Sequence, residues 1–181
     1  MKNKIVSLGS RCWLHFVILG VIFTAVWLAY KDCLSAAFQL DDGIRILNNA
    51  PVHLKEWSFK GWIESGLEAH ARRPVAMLTF SLTYLFFTLK PYYYRLGNVL
   101  IHMVSCGFLY YMFAVTFNKV AKGENREYSR NFILGAAFFA VLIWALHPVQ
   151  TSSVTYIIQR ICNAGFISHF LVYTQALHVV I

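Results

Sequence analysis

The chain has 181 residues, of which 58% are hydrophobic and only 13% charged, and its mean hydropathy of +0.53 excludes an ordinary soluble domain. The net charge of +8 is spread along the chain with no dense basic run, which argues against a nucleic-acid partner and fits loops that face the cytoplasm. The four cysteines, Cys12, Cys33, Cys106 and Cys162, have no CxxC spacing, so neither a disulfide scaffold nor a cysteine metal centre is indicated.

In chain order, residues 1–11 carry Lys2, Lys4 and Arg11 and predict a cytoplasmic N-terminus. The apolar block 12–30 is too long for a signal-peptide core and reads as an uncleaved first span. Residues 31–73 are polar, with six basic and six acidic side chains, and form a loop on the far, extracytoplasmic side. Trp57, Phe59 and Trp62 beside Lys55 and Lys60 suit a short segment at headgroup level. The block 74–89 starts with Pro74 and stops at Lys90-Pro91. It predicts a juxtamembrane helix, although Thr79, Ser81, Thr83 and Thr88 do not gather on one face.

The second span is expected at 92–117, entered through Tyr92, Tyr93 and Tyr94. Residues 118–130 contain Lys119, Lys122, Arg126 and Arg130 and read as a cytoplasmic loop. Two cytoplasmic ends require an even number of crossings between them, which leaves 74–89 outside the bilayer core. A third span over 131–147 ends at His147-Pro148, because proline disfavours helix in the residue before it. An extracytoplasmic loop follows at 148–160, and a fourth crossing at 161–181 stops without basic anchors, as a truncation would. The fold class is thus an all-α membrane protein of about four transmembrane helices plus a juxtamembrane helix, integral to a bacterial inner membrane or an ER-like membrane.

Candidate chemistry starts with Asp41 and Asp42. Adjacent carboxylates in a poorly hydrated place repel, so one can be poised as a base or both can share a cation. The competing structural reading makes Asp-Gly a turn and Asp42 the cap of a helix over 44–48. His70, Arg72 and Arg73 precede Pro74 at a helix start, where cations and free N–H groups can hold a phosphate. Arg95 and Arg160 are further far-side cations. Asn98 and His102, four residues apart, share a face of the second span and suit either a functional polar pair or interhelical hydrogen bonds. His147 reads as a helix terminus. No paired histidine spacing suggests a metal cage, and a divalent cation is not indicated.

Phe38-Gln-Leu-Asp-Asp, then Arg73-Pro74 leading into Leu78-Thr-Phe-Ser-Leu, then Arg95-Leu-Gly-Asn-Val-Leu-Ile-His102, then Ala145-Leu-His-Pro-Val-Gln-Thr and Tyr156-Ile-Ile-Gln-Arg160 occur in one order. That order resembles the N-terminal portion of the GT-C class of membrane glycosyltransferases, closest to its protein O-mannosyltransferase-like branch, which includes the TMTC-type proteins with tetratricopeptide repeats. The resemblance implies transfer of a sugar from a polyprenyl-phosphate carrier to an acceptor, such as a protein hydroxyl, on the extracytoplasmic face. It also implies that Asp41 deprotonates or orients the acceptor hydroxyl with Asp42 supporting it, and that Arg73 and Arg160 bind the donor phosphate. Ile161, Cys162 and Asn163 stand where some relatives carry an acidic residue. A rival reading is a small non-catalytic multi-pass protein that associates with partner helices through Asn98, His102 and the small residues Gly135, Ala136 and Ala137.

Overall fold

A computed structural model describes residues 2–39, 41–70, 73–123 and 128–160, with side chains from Trp13 onward. The expected fourth span at 161–181, Arg72 and Arg126 lie outside the described residues. Among the described residues six α-helices carry the fold: α1 (Lys2–Tyr30), α2 (Phe59–Ala69), α3 (Pro74–Phe87), α4 (Pro91–Gly123), α5 (Arg130–Ala145) and α6 (Pro148–Thr155). Among the described residues there is no strand.

Local chemistry sets the boundaries. Ser58 and Ser129 cap α2 and α5, their hydroxyls accepting from the amides of Gly61 and Phe132 at 3.4 and 3.2 Å. Pro74, Pro91 and Pro148 each open a helix, where a missing N–H costs nothing. Thr88, with φ 55°, is the one non-glycine described residue at positive φ, and it turns the chain sharply from α3 into α4.

Among the described residues two helices, Trp13–Ser35 and Pro91–Gly123, are long and apolar enough to cross a membrane. The third expected span differs from its simple reading. Helix α5 has 16 residues, about 24 Å of helix against about 30 Å of hydrocarbon. It reaches spanning length only together with α6, across a 63° bend. Pro148 causes the bend by breaking the hydrogen-bond ladder.

Two cores form. In the larger, Ile22, Val26 and Tyr30 of α1 meet Val99, Cys106 and Leu109 of α4 and Leu134, Ala137 and Val141 of α5. The smaller lies under the loop between α1 and α2, where Ile46 and Val52 pack with Met77 and Phe80 of α3, Tyr94 of α4 and Ile157. Against its edge α2 and α3 form a tight pair: Trp62 Nε1 donates to Leu78 O at 3.0 Å, and Ser65 donates to Ser81 at 2.9 Å. Gly66 permits this approach, since a Cβ there would lie 2.6 Å from the Leu78 side chain and 3.2 Å from Pro74 O. Gly66→Ala is expected to cost about 1–3 kcal/mol through overpacking, read as a lower melting temperature of the detergent-solubilised protein.

Candidate functional site: a loop pair locked by two arginines and a buried carboxylate

The geometry grows from a polar stripe on α4. Arg95, Asn98 and His102 stand at i, i+3 and i+7, so they share one face, and all three are buried. They point at the place where α5 ends and α6 begins and ends. Helix ends leave carbonyls without intrahelical donors, and in an apolar setting each must be satisfied by something else. His102 Nε2 donates to Ala145 O at 3.1 Å, joined there by the Tyr30 hydroxyl at 3.1 Å. Asn98 Nδ2 donates to Tyr156 O at 2.9 Å and also lies within reach of Val154 O and Ile157 O. Arg95 Nε donates to Thr155 O at 3.2 Å, while its two terminal nitrogens donate to Ala36 O and Ala37 O. One guanidinium therefore ties the loop after α1 to the end of α6.

Asp42 makes the same tie from the other direction. Its carboxylate is fully buried, one oxygen accepting from Gln39 N at 3.0 Å and the other from Ile158 N at 3.1 Å. The expectation that Asp42 caps the following helix is corrected here. The segment Gly43–Leu47 is a five-residue π-helical turn that receives no side-chain cap from Asp42. The carboxylate is instead committed to Ile158 and Gln39. Asp41, next to it, is exposed, and among the described residues only its backbone carbonyl is engaged, accepting from Arg45 N at 3.0 Å. The pair is asymmetric, one acid inside and one outside.

Arg160 closes the second loop onto α3 and α4. Its Nε donates to Asn98 Oδ1 at 2.8 Å, Nη1 reaches the hydroxyls of Thr79 and Thr83 at 3.2 and 3.4 Å, and Nη2 donates to Tyr94 O. The guanidinium also sits 4.4 Å over the Phe80 ring, a cation–π contact strengthened by desolvation. Burial lowers its pKa to about 9, so holding the charge there opposes folding at neutral pH and the hydrogen bonds must offset it. Thr79 and Thr83, which the sequence reading did not group on a face, are one helical turn apart and together receive this cation. Gly97 leaves the space: a Cβ there would lie 2.5 Å from Arg160 Nη2.

The remaining expected residues lie apart from this network. Arg73 is exposed at the N-cap of α3. His147 is exposed and caps α6, its Nδ1 accepting from Val149 N at 3.2 Å. Among the described residues no group of three or more His, Cys, Asp or Glu is assembled. The sequence reads Arg95 as a cation near the bilayer surface, whereas it is buried, and its spacing to Asn98 and His102 is the signal that it faces inward.

The protein O-mannosyl-transferase TMTC3 of Mus musculus is 30% identical over 179 residues, covering 93% of this chain. That of Homo sapiens is 31% identical over 88% of the chain, and the protein O-mannosyl-transferase F38B6.6 of Caenorhabditis elegans is 30% identical over 88%. The chain is a TMTC-type homologue. The match spans 18%, 17% and 22% of these three relatives' own lengths, so the TMTC-type likeness concerns about a fifth of each. No family model and no solved structure matches the chain.

Proposed function

We propose that the chain supplies the acceptor-facing side of a GT-C-type glycosyltransferase, which moves a sugar from a polyprenyl-phosphate carrier to a protein hydroxyl on the extracytoplasmic face of the membrane. The sugar is mannose by analogy with the printed names of the relatives. About four spans with a cytoplasmic N-terminus put both far-side loops on the reaction side. The observation that carries this reading is the division of the acid pair. Asp41 is free to meet a substrate, whereas Asp42 holds the loop that presents it.

In the step this arrangement supports, the acceptor oxygen attacks the sugar C1 and its proton passes to the Asp41 carboxylate. The bond from C1 to the phosphate oxygen breaks, and polyprenyl phosphate leaves as an anion that needs no proton. Arg73, exposed at the start of α3, is the cation able to contact that phosphate. Arg160 adds positive charge from behind the wall formed by Thr79 and Thr83. The test is mannose transfer from polyprenyl-phosphate mannose to a hydroxyl-bearing peptide, in membranes of cells that express the protein. Asp41→Asn is expected to lower kcat about 100-fold or more with donor KM little changed. Undiminished turnover would sink the assignment of Asp41 as base.

A further inference from the structure

At the opposite end of the helices from the acid pair, α1, α4 and α5 form an open pocket of about 510 Å³. His15 lines it and Tyr30 sits beside the far-side loops, fifteen residues on in the same helix, so the two levels are about 22 Å apart. The wall has two chemistries. Ala114, Val115, Ile133 and Leu134 form an apolar floor, while His15, Asn118, Tyr128 and Arg130 bring polar groups to the mouth. The polar groups are held in place. Arg130 Nη2 lies 3.2 Å from His15 Nε2, and a guanidinium only donates, so this ring nitrogen accepts. Nδ1 must then carry the hydrogen that it donates to the Tyr110 hydroxyl at 2.9 Å. His15 is thereby fixed as one tautomer, and Arg130 is oriented by a ring that is itself anchored to α4.

The surroundings place the cavity at a membrane boundary. Trp13 on α1 and Tyr128 before α5 are exposed aromatic side chains at this level, of the kind that collects at the headgroup layer. Lys119 and Lys122 follow Asn118 on α4 and add positive charge. We propose that this cavity binds the headgroup of an anionic glycerophospholipid, its phosphate received by Arg130 and Asn118 and the start of its acyl chains by the apolar floor. The floor favours a lipid over free phosphate, because inorganic phosphate would leave the apolar surface uncovered. The site is independent of the proposed sugar transfer, so either reading can fail without the other.

Native mass spectrometry of the protein released from mixed micelles tests it, with phosphatidylglycerol and phosphatidylcholine offered in equal amounts. Wild-type protein is expected to retain phosphatidylglycerol about fivefold over phosphatidylcholine. Arg130→Ala should abolish that preference, and Asn118→Leu, on an exposed part of the opposite wall, should weaken it. Arg45→Ala, which removes an exposed arginine outside the cavity, should leave it intact. Equal retention of the two lipids by the wild type, or an equal effect of Arg45→Ala and Arg130→Ala, overturns the proposal. So does displacement of the lipid by millimolar inorganic phosphate, which would identify a free-anion site.

Discussion

Arg160→Ala is expected to lower stability by about 3–5 kcal/mol, the range for removing one side of a buried, hydrogen-bonded charge. The loss has three sources. Asn98 Oδ1 loses its donor in a place without solvent, and such an unmet acceptor costs about 1–3 kcal/mol. The Phe80 ring loses its cation, and the vacated volume leaves a cavity between α3 and α4. Arg160→Lys retains the charge without the planar fork, so it cannot serve Asn98 and the two threonines together, and most of the loss should persist. Thermal unfolding in a single detergent reads the effect, with Gly97→Ala as its companion. Alone, the added Cβ collides with Arg160 Nη2 and should be strongly destabilising. In the Arg160→Ala background the collision is gone, so the two losses should fall well short of additive. Additive losses would mean that the guanidinium does not occupy the position described.

Asp42→Ala should cost about 3 kcal/mol, since it strips the acceptor from two amides whose only described partner is this carboxylate. Asp42→Asn keeps one acceptor oxygen and places an NH2 group against the other amide, so a loss of about 1–2 kcal/mol is expected. The contrast with Asp41 is the informative part. Asp41→Asn, at an exposed carboxylate, should shift stability by no more than about 0.5 kcal/mol while removing transfer activity. A Tm comparison of the two variants, paired with hydrogen exchange at the Ile158 amide, separates the roles. Faster exchange at Ile158 is expected in Asp42→Ala and not in Asp41→Asn. The same exchange rate in both would show that the loop does not depend on Asp42.

Helices α1, α3, α4 and α5 were legible because their causes are local, whereas α6 formed in a stretch read as a loop. The apolar run from Cys12 to Tyr30, the tyrosines leading into α4, and the prolines at 74, 91 and 148 all act within a few residues of the boundary they set. The resemblance implied unequal roles for Asp41 and Asp42, but the burial that divides them was not legible. The two are chemically identical neighbours, and what separates them is an amide donor at Ile158, 116 residues away. Thr79 and Thr83 were likewise readable as polar interruptions of α3, but their shared task depends on Arg160, 77 to 81 residues further on. The stripe of Arg95, Asn98 and His102 lay between these cases. Its spacing was visible, but its inward direction became clear only from the unpaired carbonyls where α5 and α6 end. The end of α5 followed from Pro148, yet the bend into a further helix and its effect on span length needed the helices themselves.

The cross-ties also set an order of assembly. Chains enter a membrane from the ribosome N-terminus first, so the segment around Asp42 is delivered long before Thr155, Ile158 and Arg160 exist. Until those residues emerge, Asp42 has half of its amide donors and Arg95 lacks one of its three carbonyls. The first loop therefore waits through the synthesis of more than a hundred residues before it can set. A ribosome stalled shortly before residue 158 would hold a nascent chain whose helices are inserted but whose acid pair remains unsorted, with both carboxylates open to water.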